Sequence, residues 1–174
     1  YIAKASGTRA IAFGNESQST NTNSVAIGNS TLASGSGSLA LGNNGHATQT
    51  DAIAISGTAS GIRSIAIGKT SSATGTSATA IGYLTTAVGS ALAIGTDANA
   101  QHGYSAAILR GKTEQQGKMA FSGMFFGTKG DAQGSTFVLL ADTTDATATS
   151  LTGNNLSAST NNQVILPNNS AYAF

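Results

Sequence analysis

Hydrophobic and polar residues follow a short, repeating pattern along most of the chain. A tetrapeptide of hydrophobic residue, Ala, hydrophobic residue and Gly first occurs at residues 11–14 and recurs as far as residues 106–109. Its fourth residue falls at positions 14, 28, 42, 56, 68, 82, 95 and 109, so the period is 14 residues with one interval of 12 and one of 13. A short unit repeated this often is typical of a repeat architecture.

A second, fainter register of alanines lies between the tetrapeptides. Its members are Ala33, Ala47, Ala59, Ala73, Ala87 and Ala100. Gly or a polar residue also recurs about halfway round each repeat, at positions 7, 21, 35, 49, 61, 75, 89 and 103. The tetrapeptide register and the alanine register both shorten by two residues across positions 56–59 and by one within positions 87–95. We therefore interpret each unit as two short strands and two turns, with the length changes in the turns.

This pattern predicts an all-β solenoid. The apolar residues alternate with period two and are interrupted every few residues by Gly, Ser, Thr or Asn, which excludes amphipathic helices. We expect a parallel β-roll with 14-residue coils, in which each strand pairs with its equivalent in the next coil. Because successive side chains of a strand alternate, Val25 and Ile27 share one side and Ala26 faces the other. We interpret the bulky side as the inside of the roll, where it meets the small residues of the second strand.

Two sets of structural residues follow from this interpretation. The predicted repeat core consists of Val25, Ile27, Leu39, Leu41, Ile53, Ile55, Ile65, Ile67, Ile81, Leu92 and Ile94. The predicted turn glycines, at positions where tolerance of positive φ is useful, are Gly14, Gly28, Gly42, Gly68, Gly82 and Gly95. Such a thin roll buries little apolar surface in one chain, so an outer side covered by Ala and Ser is expected to pack against copies of itself. The prediction is a homo-oligomer.

Composition and charge exclude several classes of function. Charged residues make up 9% of the chain, against about 25% in ordinary globular domains, which fits a typical cytosolic enzyme poorly. The formal net charge is +1, so there is no basic excess for binding nucleic acid. The chain has no Cys and therefore no disulfide or thiolate metal site. Its apolar runs are too short for a transmembrane helix, and no signal peptide is visible at Tyr1.

Several units of the repeat are similar to those of a known family. Three segments resemble the head repeats of YadA-like trimeric autotransporter adhesins: SVAIGNSTLASGSG, SIAIGKTSSATGTSA and ALAIGTDANAQHG. The resemblance covers roughly residues 8–109 and implies a left-handed roll, a homotrimer of chains side by side, and a fibrous surface structure that binds other cells or matrix. Three positions depart from the family pattern: Ser56 in place of Gly, Thr79 in place of an aliphatic residue, and Phe13.

From about Arg110 the period is predicted to stop and a second module to begin. Residues 1–109 are assigned to the roll and residues 110–174 to a small antiparallel β module, with Phe121, Phe125, Phe126 and Phe137 as its core. The charged residues at the start of this module either make interchain ion pairs or form a solvated connector; they are Arg110, Lys112, Glu114 and Lys118.

Residues 110–174 are similar to a segment of tail-fibre and tailspike proteins of tailed bacteriophages, through GKMAFSG, Gly-Asp-Ala-Gln at 130–133 and the C-terminal NNSAYAF. In such proteins the chain continues, so Phe174 is expected to end a fragment.

Motifs for catalysis or cofactor binding are weak. Gly68-Lys69-Thr70 and Gly111-Lys112-Thr113 lack the first Gly of a phosphate-binding loop and a following helix, so they are interpreted as polar turns. His46 and His102 are predicted turn residues facing solvent, with a trimer-axis or metal role as the alternative. Asp142 and Asp145 are interpreted as turn residues rather than a catalytic pair. We therefore predict no enzymatic activity, no cofactor and no metal.

The leading functional hypothesis is a segment of a trimeric bacteriophage tail fibre that adheres to the host cell or spaces the fibre from it. Its expected partners are further copies of itself, other virion tail proteins and a host-surface receptor, with polysaccharide as a ligand class suited to the Ser, Thr and Asn turns. The alternative is the head domain of a bacterial trimeric autotransporter adhesin that binds host cells or extracellular matrix. A heptad stalk and a membrane anchor encoded downstream would favour the adhesin.

Overall fold

The computed structural model describes residues 2–142, 146 and 148–164, and these residues contain strands and turns but no helix. Residues 2–122 form an all-β solenoid of about eight coils, as predicted. Each coil contributes one strand to each of two sheets. We call these the narrow sheet, whose strands are two residues long, and the wide sheet, whose strands are three to five residues long.

The strands alternate between the two sheets along the chain. The narrow sheet consists of β1 (Lys4–Ala5), β3 (Gln18–Ser19), β5 (Leu32–Ala33), β7 (His46–Ala47), β9 (Thr58–Ala59), β11 (Ser72–Ala73), β13 (Thr86–Ala87), β15 (Asn99–Ala100) and β17 (Lys112–Thr113). The wide sheet consists of β2 (Ile11–Phe13), β4 (Val25–Asn29), β6 (Leu39–Asn43), β8 (Ile53–Ile55), β10 (Ile65–Ile67), β12 (Thr79–Ile81), β14 (Leu92–Ile94), β16 (Ala106–Leu109), β18 (Lys118–Ser122) and β19 (Gly134–Phe137).

Each strand of the roll pairs in parallel with its equivalent one coil away. In the wide sheet Ala26 pairs with Ala40, and in the narrow sheet Ala73 pairs with Ala87. Equivalent residues therefore lie directly above one another, about 4.8 Å apart, and form ladders that run the length of the roll. The predicted pairing of each strand with its equivalent in the next coil is confirmed.

The interior of the roll is built from alanine, and this corrects the prediction about which side faces inward. The middle residue of each wide-sheet triplet from Ala26 to Ala120 is fully buried, and so is the second residue of the narrow strands from Ser19 to Thr113. The predicted core residues lie on the outer side of the wide sheet: Val25, Leu39, Leu41, Ile53, Ile55, Ile65, Ile67 and Ile81 are half-buried there, and Ile27, Leu92 and Ile94 are exposed.

The physical reason for this orientation is the small size of the coil. Two strands of two and three residues, joined by tight turns, hold the sheets so close that side chains larger than Thr have no room between them. Buried hydroxyls fill the corners and bond to the turn carbonyls, as Ser38 Oγ does to the Gly35 oxygen at 2.7 Å and Ser64 Oγ to the Gly61 oxygen at 2.7 Å. These bonds satisfy polar groups that would otherwise be costly to bury.

The turns depend on residues in the left-handed region of φ. All six predicted turn glycines have positive φ, although Gly28 and Gly42 lie within strands β4 and β6. Gly28 shows why Gly is needed, since its φ is 138° and an added Cβ would lie 1.8 Å from the Gly42 carbonyl oxygen of the next coil. Non-glycine residues such as Asn23 and Asn44 also adopt positive φ, at 57° and 54°, which the short polar side chain of Asn tolerates.

The roll ends later than the sequence predicted. Strand β18 still pairs in parallel with β16, with Ala107 opposite Ala120, so the parallel ladder continues to Ser122 rather than stopping at residue 109. The antiparallel strand β19 then pairs with β18 and covers the edge of the wide sheet. The expected aromatic core is not formed, because Phe121 is 51% exposed and Phe126 is 92% exposed.

Candidate functional site

The outer side of the wide sheet is the largest unusual surface of the roll. Two side chains per strand project from it, the first and third of each triplet. We define the apolar face by these residues: Ile11, Phe13, Val25, Ile27, Leu39, Leu41, Ile53, Ile55, Ile65, Ile67, Thr79, Ile81, Leu92, Ile94, Ala106, Ile108, Met119 and Phe121.

The apolar face is continuous and carries no charge. Thr79 is the one polar residue among its positions, and the ladder from Ile53 to Ile65 crosses the shortened coil without a break in register. Nine strands at about 4.8 Å spacing make the strip about 38 Å long. Side chains at its N-terminal end are the most exposed, with Phe13 at 72%. A contiguous exposed apolar strip of this kind marks an interaction surface in a soluble protein.

The outer side of the narrow sheet has the opposite chemistry. We define the polar face by its outward residues: Lys4, Gln18, Leu32, His46, Thr58, Ser72, Thr86, Asn99 and Lys112. All except Leu32 are polar or charged. The two faces lie on opposite sides of the same alanine interior, so each coil presents one apolar and one polar surface.

A polar ladder of turn residues runs along the edge between the two faces. Asn15 Nδ2 donates to Asn29 Oδ1 at 3.1 Å, and Ser30 Oγ donates to Glu16 Oε2 at 3.1 Å, so side chains of successive coils bond along the axis. Asn43 is the next residue of this column in the register of β4 and β6, but its side chain does not bond to Asn29. The stack stops after Asn43, where the next coil is two residues shorter.

The described residues considered for chemistry lie in different parts of the chain. His46 lies in strand β7 rather than in a turn and His102 lies in a turn, both half-buried. Asp142 accepts a 2.8 Å bond from Asn155 Nδ2, and Asp145 lies outside the described residues. Lys112 and Thr113 form strand β17. Across residues 2–142, 146 and 148–164, no group of three or more acidic or His side chains could hold a metal ion.

The charged cluster near the end of the roll makes contacts within its own chain. Lys112 pairs with Glu114 at 2.5 Å, and the Arg110 guanidinium lies 5.7 Å from the centre of the Phe125 ring. Lys118 Nζ lies 5.4 Å from the Phe137 ring centre. Burial lowers the pKa of the Lys118 ammonium from its usual value; nearby Glu114 opposes this shift and Lys112 adds to it. These contacts join the roll to the segment that follows it.

One signal in the sequence points to the correct orientation of the faces. The middle position of the triplet is Ala in every repeat, whereas its neighbours vary among Ile, Val, Leu, Phe, Thr, Ala and Met. A position restricted to one small residue is expected where space is limiting, and variable large residues are expected where it is not. The bulk of the residues alone does not reveal this, because apolar side chains usually face inward.

Comparison with known families agrees with the geometry of the roll. Residues 5–31, 33–55 and 59–85 each match the family model described as YadA head domain repeat (2 copies). Each match thus spans about two coils, and the break between residues 55 and 59 coincides with the shortened turn. No curated protein matches the chain. In the part of the chain that the structure describes, no helix is present that could cross a membrane.

Proposed function

We propose, on the premise that residues 5–85 are YadA head domain repeats, that the roll is the head of a trimeric adhesive fibre. Three parallel chains would pack through their apolar faces and turn their polar faces and turns outward. The observation that carries this proposal is the apolar face, a charge-free strip on one side of a roll whose own interior is already filled by alanine. Among the described residues the side chains of this strip stay half-buried or exposed, and a second and third copy would supply the missing cover.

Three-fold packing also supports a mechanism of adhesion. Each chain repeats similar turns about every 4.8 Å along the axis, and three chains would triple the number of such turns. Many weak contacts made at once give strong overall attachment without any single tight site. The backbone ladders make the roll a stiff spacer that holds these contacts away from the surface to which the fibre is fixed. The expected receptor is a cell-surface or matrix component, with polysaccharide favoured by the Asn, Ser and Thr turns.

The bacterial adhesin head is the first candidate setting, because the matched repeats carry the name of that family. The bacteriophage tail fibre is the second. It rests on the similarity of residues 110–174 to tail-fibre segments and on the antiparallel strand β19, which begins a different architecture directly after the roll. Because the matched repeats, residues 5–31, 33–55 and 59–85, favour the first candidate, the order of these two candidates is reversed relative to the sequence-based hypothesis.

Sedimentation equilibrium on matched variants tests the proposal. Ile67 and Ile81 are neighbours on the apolar face, and Ser72 and Thr86 are neighbours on the polar face of the adjoining coils. The double variant Ile67→Lys with Ile81→Lys places two like charges per chain in the proposed interface. The matched control, Ser72→Lys with Thr86→Lys, adds the same charge on the opposite face.

The expected result is a trimer for the native chain and the control, and a monomer or unfolded chain for the apolar-face variant. Circular dichroism separates the last two states, since a monomer that keeps its strands shows that the charge acts on assembly. A native chain that sediments as a monomer at all concentrations would overturn the proposal. So would an apolar-face variant that remains trimeric.

A further inference from the structure

The shortest coil of the roll leaves a notch in the edge between the two faces. Only Ser56 and Gly57 lie between Ile55 and Thr58, whereas four residues lie between the equivalent positions of the coils on either side, Leu41 to His46 and Ile67 to Ser72. The coil that lacks these two residues is recessed, and the turns that precede and follow it project beyond it. Those two turns are two coils apart, about 9–10 Å along the axis.

The notch has the size and the polarity of a ligand site. Its volume is about 570 Å³, within the range of about 300–1,000 Å³ that is usual for small-molecule sites. Asn43, Asn44 and His46 line it on the N-terminal side, and Lys69 and Thr70 line it on the C-terminal side, with Thr58 beside the floor. Every one of these side chains can donate a hydrogen bond, and most can also accept one.

Two of the lining side chains bond within the notch, because Thr70 Oγ1 donates to the Lys69 carbonyl at 2.6 Å and Ser56 Oγ accepts from the Asn43 N–H at 3.3 Å, whereas the others are free. Of all the hydrogen bonds among the described residues, none uses the side chains of Asn43, Asn44, His46, Thr58 or Lys69. The contrast with the neighbouring coils is clear, because the equivalent Asn15 and Asn29 side chains bond to each other. Asn43 lies one coil beyond this pair and its carboxamide makes no such bond, so it is available to a ligand.

The charge of the notch is positive. Lys69 is the charged side chain of the lining, and none of the described side chains that line it is acidic. The nearest carboxylates on this edge are Glu16 and Asp97, each two coils beyond a wall of the notch. Asp97 is paired with Lys129 at 2.5 Å, and Glu16 accepts a bond from Ser30. Lys69 is therefore free to pair with an anionic group of a ligand.

From these observations we propose that the notch binds a single sugar unit that carries a carboxylate, such as a hexuronate. Asn43, Asn44 and Thr58 would bond to ring hydroxyls, which need both donors and acceptors, and Lys69 would pair with the carboxylate. The inference rests on the adhesive role proposed above and narrows its ligand class. It predicts one such subsite per chain, and therefore three around a trimer.

A variant that fills the notch tests this directly. Replacing Ser56 by the three residues Gly, Asn and Asn restores the Gly-Asn-Asn-Gly turn found at residues 42–45 and makes the coil 14 residues long. The chain already folds this turn one coil earlier, so the variant is expected to fold. Lys69→Gln removes the charge, and Lys4→Gln, on the exposed strand β1 three coils before His46, is its matched control.

The probes are methyl β-glucuronide and, as the uncharged counterpart, methyl β-glucoside, titrated into the native chain and followed by NMR. We expect millimolar binding of the glucuronide at one site per chain, loss of binding in the filled variant, and a decrease of about fivefold for Lys69→Gln. Lys4→Gln should bind like the native chain. Absence of glucuronide binding, binding that survives the filling of the notch, or equal binding of the glucoside would overturn the proposal.

Two further measurements separate the possible outcomes. A uronate-containing oligosaccharide of animal matrix is compared with one from a bacterial capsule, and preference for either supports the site and identifies the source. The sedimentation mass of each variant is measured in the same samples. If the chain is a trimer but binding does not depend on the notch, the proposed sugar site is wrong and the proposed trimer stands. If the chain is a monomer that binds the glucuronide in the notch, the proposed trimer is wrong and the sugar site stands.

Discussion

The roll and the segment that follows Ser122 are ordered by different kinds of contact. In the roll, every coil uses the same parallel backbone ladder, the same buried alanines and the same left-handed turn positions. The following segment, residues 123–164, has one strand, β19, and one isolated bridge between Leu140 and Thr152 among its described residues. Most of its order comes from single side chains that bond to particular backbone groups.

Two side chains illustrate how the second region is held. The Gln133 carboxamide accepts a bond from the Lys112 N–H and donates one to the Lys112 carbonyl, both at 2.9 Å, and so pairs with the last strand of the narrow sheet. The Asp131 carboxylate accepts bonds from the N–H groups of Phe126, Gly127 and Thr128 at 2.9, 2.7 and 2.8 Å. Neither contact is repeated elsewhere in the part of the chain that the structure describes.

The difference teaches how each region responds to change. A repeated contact tolerates a missing residue, as the shortened coil at Ser56 shows, because the ladders on both sides of it are unbroken. The same repetition leaves no spare volume, because the buried alanines are stacked on one another or on buried Ser and Thr in the next coil. A contact made once has no such support, but its loss affects a smaller part of the molecule. The predictions below test this contrast.

The largest effect is expected for a larger residue inside the roll. Ala66 is fully buried between Ala54 and Ala80 in the wide sheet, and Ala66→Leu would force the two sheets apart. We expect a loss of about 3 kcal/mol in the free energy of unfolding, at the upper end of the range for overpacked cores. Urea denaturation at a fixed protein concentration measures it, since assembly also contributes to stability.

Ala132→Leu is the matched control in the second region, where Ala132 is only half-buried. It should change the free energy of unfolding by less than about 1 kcal/mol. Equal losses for the two substitutions would show that the interior of the roll is no more tightly packed than the loop. That result would contradict the proposed distinction between the regions.

The repeated region was also the more predictable from sequence. Period, strand positions, parallel pairing and the turn glycines such as Gly28 follow from local pattern, because each coil must satisfy the same backbone constraints. The orientation of Val25 and Ile27 did not follow, since it depends on the distance between the sheets, which no local pattern contains. The end of the roll was placed too early because β18 has Met119 and Phe121 where most coils have aliphatic residues.

The candidate sites were less predictable than the fold. The shortened coil at Ser56 is visible in the sequence, but the notch exists only because the turns of two neighbouring coils project beyond it. The Gln133 and Asp131 contacts join residues whose partners are set by the path of one loop. No period or motif identifies such partners, so these contacts were not predicted.

A smaller effect is expected at the turn glycines. Gly28→Ala places a Cβ 1.8 Å from the Gly42 carbonyl oxygen at a φ of 138°, so both the backbone and the next coil must shift. We expect a loss of about 2 kcal/mol, as for other residues held in sparsely populated backbone conformations. Gly123→Ala is the control just beyond the roll, because an added Cβ there meets no atom within 4 Å. Thermal unfolding of both variants should show a lower midpoint for Gly28→Ala alone, and a lower midpoint for both would contradict this explanation.

The smallest effect is local to the loop held by Asp131. The backbone bonds from Thr128, Gly127 and Phe126 lower the pKa of the Asp131 carboxyl below its usual value. A carboxyl with a lowered pKa in the folded state stabilises the loop above the unfolded pKa, and this stabilisation is lost as the pH falls through the folded pKa.

Hydrogen exchange of these loop amides tests whether the loop loses stability as the pH falls. Protection of the Phe126, Gly127 and Thr128 N–H groups should be present at neutral pH and decrease once the pH falls below about 3.9, whereas the Ala66 N–H in the roll should keep its protection. Asp131→Asn should expose the same three amides at every pH and remove the pH dependence. Loss of protection in the roll over the same pH range would mean that Asp131 supports the whole fold, and the two regions would then be one cooperative unit. Because each Asp131 bond ends on a residue of its own loop, we expect the roll to be unaffected.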